Sequence, residues 1–577
     1  MRRLASLGAI LALYAGLVVW LTWPLGAQIT THLPSTNIAC RSDPPYMAWA
    51  LAYESHALAT APTTFLDANI YFPARHALLY GDTGFGPLPY FLPAFLLSGN
   101  PALALNLVFL SCVALTAWTM HLVVRHWTGS SLAGFVAAWT LLMNPWVLWR
   151  LIPAAPSYAV LQYFPVIILL AATPVARLRS VARLVPLIVL QSLADVVYVA
   201  SAVLVPLTLL ALARLARQGT RATGACLLAV LGLSVLLLLP VYAGHLAVFM
   251  GEPGLSRQTL WHTREDIVPT LLDKGGVVIG GNVHLPVALP WGLVGNGSFT
   301  GVALSSLALI AVGGLCALWE RWREPTIRVA WAHAAFWTVL GLVMSMPAIR
   351  LFGGEPLRSP PVALLDWLAP GVLEIVRVPE RLIVAALMGV AILAGVAFAA
   401  SARRLPGGVR AHAILAAVIA TAMYAEYRQL APPVYPVVAT IPGDSVMVHA
   451  LQQGTGPLLE LPVRTQGVEA FPNATAMYRS IFHWRPLLNG YSSYWPVGFP
   501  ERMALEQKLP DPTALEALRR ETGVAAILVR LALLAPAERT TWAAVVEGVA
   551  PGGLRLIARD GDEVLFAVEA VDERPAS

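Results

Sequence analysis

Arg377 and Arg381 lie four residues apart, so on a helix starting there they share one face, and two guanidiniums so placed can grip a phosphate bidentately. Pairing with Glu374 and Glu380 as interfacial anchors is the plainer use of the same residues. Arg75 and His76, between Tyr71 and Tyr80, form a second phosphate candidate, or simply a charged surface loop. The carboxylates placed to move protons or meet cations are Asp43, Asp82 and Asp195. Asp43 precedes Pro44 at the start of an amphipathic stretch, 44–59, where it also reads as a helix cap. Asp195 interrupts a hydrophobic stretch, where a carboxylate is costly and faces a cavity or a partner, or else caps a turn. Glu54 and His56 with Asp43 do not have a convincing metal-ligand spacing, and no metal ligands are predicted.

These groups must be carried by a membrane scaffold. Hydrophobic residues make up 57% of the 577 and charged ones 12%, so lipid is the solvent for most of the chain. The net charge of +6 does not imply nucleic acid, because the basic residues sit in short clusters between apolar spans. Residues 1–430 carry 26 basic and 16 acidic side chains, residues 431–577 carry 12 and 16, and that shift marks a boundary near Pro432-Pro433. Of the four cysteines, Cys112, Cys226 and Cys316 fall in apolar spans and Cys40 stands alone in a loop, which excludes a disulfide framework. The start, Met-Arg-Arg before about 20 apolar residues, reads as a retained signal anchor.

Basic residues favour the cytoplasmic ends of spans, and with a cytoplasmic N-terminus the clusters alternate without conflict. The expected spans are 4–23, 101–124, 131–147, 158–176, a hairpin over 184–213, 224–246, 300–318, 329–346, 382–400 and 411–427. The hairpin is required because arginines flank 184–213 on both sides; two short helices turning near Asp195 restore the parity. The fold expected is therefore mainly α, a polytopic bundle of about 11 crossings. A large first outer loop, 24–100, and a soluble C-terminal α/β domain, 431–577, complete it, both extracytoplasmic. The proline-broken stretch 86–97 is too short to cross and reads as re-entrant or interfacial. Segment 247–297, with His262, Arg264, Glu265 and Asp266, also faces out and reads as a solvated charge run.

In the tail, 458–463 and 525–529 read as buried strands, 512–521 and 537–549 as helices, and 554–558 with 564–568 as a hairpin about Asp560-Gly561. Segment 485–494 is rich in Asn, Gly and Tyr. Asn489 and Tyr491 there suit hydrogen bonding and stacking on sugars, or a turn packed on the domain edge.

The chain resembles the C-type membrane glycosyltransferases, the GT-C superfold, and within it a poorly characterised bacterial group. The residues that carry the likeness are Ser42-Asp43-Pro44, 67–73 (DANIYFP), 79–82 (LYGD), 98–101 (SGNP), 377–381 (RVPER) and 487–491 (LLNGY). The resemblance implies a bacterial inner-membrane enzyme that moves a sugar from a polyprenyl-phosphate-type, lipid-linked donor to an extracytoplasmic glycan, lipid or protein acceptor. Asp43 would be the general base; Arg75, His76, Asp82, Asp195, Arg377, Arg381, Asn489 and Tyr491 would bind substrate. Families of this fold often carry paired acids in the first loop, whereas here Pro44-Pro45 follows Asp43, which leaves the need for a divalent metal open. Two other readings fit the same chain: a transporter or flippase for a lipid-linked glycan, and a non-catalytic membrane assembly factor.

Overall fold

The computed structural model describes residues 2–35, 41–149, 151–173, 178–251, 256–257, 276–279, 287–288, 302–319, 324–345, 348–351, 357–358, 360, 363–364, 367, 379–464, 471–548 and 553–569. Arg377, Glu374, Cys40 and the 262–266 charge run lie outside them. The membrane part runs α1 (Arg2–Leu21), α2 (Asp43–Thr60), α3 (Leu88–Ser98), α4 (Pro101–Thr128), α5 (Ser131–Leu142), α6 (Pro145–Leu148), α7 (Leu151–Ala154), α8 (Phe164–Ala172), α9 (Leu178–Ser192), α10 (Tyr198–Leu215) and α11 (Arg221–Gly251). It continues with α12 (Leu304–Trp319), α13 (Pro325–Ser345), α14 (Val384–Ala402) and α15 (Gly408–Leu430).

Among the described residues six helices are long and apolar enough to cross a membrane, namely α4, α10, α11, α13, α14 and α15. A seventh span is counted if α5 and the helix after it, bent by 66°, are taken as one. The remaining stretches expected to cross are α1, whose apolar part is Ala5–Leu21, the shorter α9 and α12, and the nine-residue α8. Pro156 and Pro165 explain α8: the expected span 158–176 opens on a 3-10 turn, Pro156–Ala159, and starts its helix only at Phe164. The expected hairpin is present as α9 and α10, with Asp195 in the turn.

α14 is the axis of the bundle, buried along its whole length. Its sequence, rich in Ala and Gly, lets neighbours come close, as membrane helices do through small residues. A Cβ on Gly341 of α13 would stand 2.2 Å from the backbone nitrogen of Ala386, and one on Gly389 would stand 2.6 Å from the carbonyl oxygen of Ala334. α15 by contrast is largely exposed, as a lipid-facing helix must be.

The tail contains α16 (Val446–Gln453), α17 (Phe471–Ser480), α18 (Phe499–Glu506), α19 (Pro512–Thr522) and α20 (Pro536–Val546). Its four-stranded sheet has the order β12-β13-β11-β9, with β9 (Leu458–Leu461) parallel to β11 (Ala526–Arg530), and β13 (Glu563–Val568) antiparallel to both β11 and β12 (Leu554–Asp560). Arg479 of α17, fully buried, is held by Glu563 of β13 and lies 3.3 Å from Glu460 of β9.

This tail is stitched to the first loop by main chain. Strand β8 (Val437–Ala439) pairs antiparallel with β1 (His32–Pro34). Segment 486–489 runs between two partners: Leu458 N–H donates to Pro486 O and Leu488 N–H to Leu458 O on one side. On the other, Tyr71 N–H donates to Asn489 O (3.1 Å), Phe72 N–H to Leu487 O (3.0 Å) and Leu487 N–H to Asn69 O (2.9 Å). Asn489 is buried, not presented to a sugar: its amide donates to Glu460 O (2.8 Å) and accepts from Glu460 N–H (2.7 Å). That two-way bond satisfies a strand backbone which would otherwise be orphaned in the core, so Asn489 is a structural clamp. Replacing it, Asn489→Ala, should cost about 1–3 kcal/mol. The thermal midpoint of the detergent-solubilised protein should fall; an unchanged midpoint would remove the clamp.

Candidate functional site

α2 opens with Asp43, Pro44 and Pro45, whose fixed φ suits a first helical turn. Ser42, not Asp43, takes the cap position, and no side chain caps the helix there. The Asp43 side chain instead reaches the tail: its Oδ1 accepts from the Tyr491 hydroxyl at 2.6 Å. Tyr46, one turn on, sets its ring edge-on to Tyr491 (5.8 Å between centroids, 75°) and donates its hydroxyl to the carbonyl of Asp82 at 3.2 Å.

The 81–86 loop that carries Asp82 is pinned on both sides. Glu54 of α2 accepts the Gly84 N–H at 2.7 Å, and the Gly86 N–H donates to Leu193 O at 3.0 Å in the α9–α10 turn. Position 86 requires glycine, because a Cβ there would sit 2.6 Å from the Ala194 backbone. The sequence-level motif of short polar loop residues thereby ends up against the hairpin turn.

In that turn the Asp195 carboxylate accepts from the backbone N–H groups of Val197, Tyr198 and Val199, at 3.2, 2.5 and 3.2 Å. It caps α10, as one of its two expected roles required, and it also faces charged neighbours. Burial raises its pKa, and the Asp82 carboxylate raises it further; the Tyr198 N–H, the Tyr158 hydroxyl and Arg381 pull the other way. Arg381 donates to the Tyr158 hydroxyl at 3.3 Å and lies over the rings of Tyr158 (5.6 Å) and Tyr198 (5.2 Å). His245 of α11 bonds through Nδ1 to Leu79 O at 3.2 Å, on the other flank of the same loop.

Asp82 and Arg381 thus both act on Asp195 electrostatically, and Tyr46 of α2 ties the Asp82 carbonyl to the Asp43–Tyr491 pair. Arg75 and His76 are exposed; the His76 N–H is bonded to Asp67 Oδ1 (2.8 Å), and the Arg75 carbonyl accepts from Tyr80 (2.9 Å). Tyr158, Tyr198 and His245 were not singled out by sequence. Only Tyr198 left a signal, three residues past Asp195 at the spacing of a capped first turn.

Among the described residues no three His, Cys, Asp or Glu side chains converge as a metal-binding group. Glu54 Oε1 accepts from the Gly84 N–H, His56 stacks flat on Trp484 at 4.1 Å, and Asp195 Oδ1 takes three N–H groups.

No family model and no curated protein matches the sequence. Solved structures do. The mycobacterial arabinofuranosyltransferase AftD superimposes with a TM-score of 0.57 at 18% identity, over 98% of this chain. The chain has a GT-C-like fold. It spans 40% of the length of AftD. ArnT from Cupriavidus metallidurans aligns with a TM-score of 0.48 at 12% identity in its apo form, over 98% of each chain. Its structure bound to undecaprenyl phosphate aligns at 0.47 and 13%, over 96% of this chain and 97% of that one.

Glu54 gives this region a pH signature. It is fully buried on α2, and burial pushes its pKa up to about 8, the Gly84 N–H opposing. A carboxyl raised in the folded state contributes stability that is complete below its unfolded value and lost as pH rises through about 8. The thermal midpoint of Glu54→Gln relative to wild type should therefore climb between pH 5 and pH 9; a constant difference across that range would show the carboxyl does not change charge.

Proposed function

We propose that this chain is a membrane glycosyltransferase that moves one sugar from a polyprenyl-phosphate-type donor to a hydroxyl acceptor on the extracytoplasmic face of a bacterial inner membrane. The N-terminus is then cytoplasmic and the C-terminal region extracytoplasmic, as the arginine clusters favour. The observation that carries the proposal is that first loop, hairpin turn and the entrance to α14 come together: the Gly86 N–H of the loop bonds the turn, Asp82 and Arg381 act on Asp195, Arg381 is bonded to Tyr158, and Tyr46 ties the Asp82 carbonyl to the Asp43–Tyr491 pair. A GT-C-like fold supports it, and the neighbour's arabinofuranosyl chemistry makes a pentose a natural first donor to try.

In this reading Asp43, oriented by Tyr491, takes the proton of the acceptor hydroxyl as its oxygen attacks the anomeric carbon. The bond from that carbon to the phosphate oxygen breaks, its electron pair leaves with the carrier phosphate, and the configuration inverts. Arg381, held by Tyr158 and Tyr198, meets the charge developing on that phosphate. Asp82 and Asp195 bind the sugar hydroxyls and keep the guanidinium aimed; the membrane lipid, the donor and a glycan, lipid or protein acceptor are the partners.

Purified protein supplied with polyprenyl-phosphate pentoses and hexoses should release free polyprenyl phosphate. Asp43→Asn should lower the rate by about 10²–10⁴-fold and Arg381→Gln by about 10²–10³-fold. Full turnover in Asp43→Asn rejects the base; no carrier release with any donor, together with donor movement across vesicles, selects the transporter.

A further inference from the structure

A cavity of about 260 Å³ lies away from the Asp82 cluster, where α1 and α15 end and the chain leaves for the tail. It is lined by Trp20, Trp23, Tyr424, Tyr427, Arg428 and Tyr435, with the linker prolines closing one side. Trp20 stacks on Tyr424 at 5.3 Å, and Tyr435 is fixed by its hydroxyl on Leu148 O at 2.9 Å, so the walls are held in place.

We propose that this cavity binds the phosphate headgroup of an anionic phospholipid. Three features of the site argue for it. Its volume falls just under the range of about 300–1,000 Å³ usual for small-molecule sites, enough for a headgroup but not for a whole glycolipid. Arg428 is the charged side chain in the wall; two of its N–H groups go to Pro432 O (3.3 Å) and Pro433 O (3.4 Å), and a guanidinium has five. Glu426, the acid nearest in sequence, turns away and accepts from the N–H groups of Leu304 and Ser305, so among the described residues no carboxylate lines the wall.

The apolar end of the ligand follows from the surroundings. Trp20 and Trp23 are 54% and 60% exposed, at the level where indoles mark a bilayer interface. Leu13 on α1 is seven residues from Trp20 and so on the same face, and it too is exposed. On α15, Ile414 and Val418 are exposed below the cavity. Acyl chains can lie along those faces while the phosphate meets Arg428. A free phosphate would have no use for them.

Native mass spectrometry of the full chain in mild detergent tests this without reference to any sugar transfer. Wild type should retain phosphatidylglycerol about fivefold better than phosphatidylcholine, the preference one arginine at a membrane surface supplies. Arg428→Gln should erase the preference and Arg428→Lys keep it. Trp20→Ala, which leaves the bonds of Arg428 to the linker intact, should lower retention of both lipids. Equal retention of the two lipids by wild type, or a preference surviving in Arg428→Gln, overturns the proposal. Displacement of phosphatidylglycerol by millimolar inorganic phosphate also overturns it, in favour of a free-anion site.

Discussion

The site depends on a seam of backbone hydrogen bonds between residues 69–72 of the first loop and residues 486–489 of the tail, more than 400 positions apart. Neither segment is a stable element alone. Each offers main-chain groups that would be costly to bury unpaired, and each satisfies the other's. The seam carries Tyr71 against Gly490, where a Cβ would come within 2.2 Å of the ring, so tail and loop fit only with glycine there. Two residues beyond Asn489, Tyr491 arrives at Asp43.

From that seam the rest follows mechanically. α2 is nearly all buried although it lies outside the membrane spans, because α3, α4 and the tail helix α17 pack around it. A rigid α2 can then hold the 81–86 loop through Tyr46 and Glu54, and the loop reaches the hairpin turn through Gly86. Asp82 of the first loop and Asp195 of the hairpin turn are thereby brought close enough to act on each other, with little freedom left in either. Such rigidity suits chemistry that needs preset charges rather than reorganising ones.

Parts of this were legible in the chain. Arginine parity required a hairpin at 184–213 and put its turn at Asp195, and Asp-Gly at 560–561 marked the strand pair β12–β13. Other parts were not. The proline pair around Tyr158 shortened an expected span, because local φ constraints and a missing N–H outweigh hydropathy there. Asn489 looked like a sugar contact because Asn-Gly-Tyr is as good a ligand-binding composition as it is a turn. Its burial depends on where β9 lies, which no local pattern reports.

The sequence by itself determined that most of the chain is apolar and helical, that a hairpin turns at Asp195, and that a strand pair turns at Asp560-Gly561. Hydropathy, charge clusters and turn residues act over a few neighbours, so a one-dimensional string suffices for them. Only the tertiary structure decided that Asp43 meets Tyr491, that Arg381 joins Tyr158 and Tyr198 near Asp195, and that Arg75 and His76 face solvent. Those outcomes turn on distances between groups tens to hundreds of residues apart, set by packing against α2 and by the seam, and packing is a property of the whole chain at once.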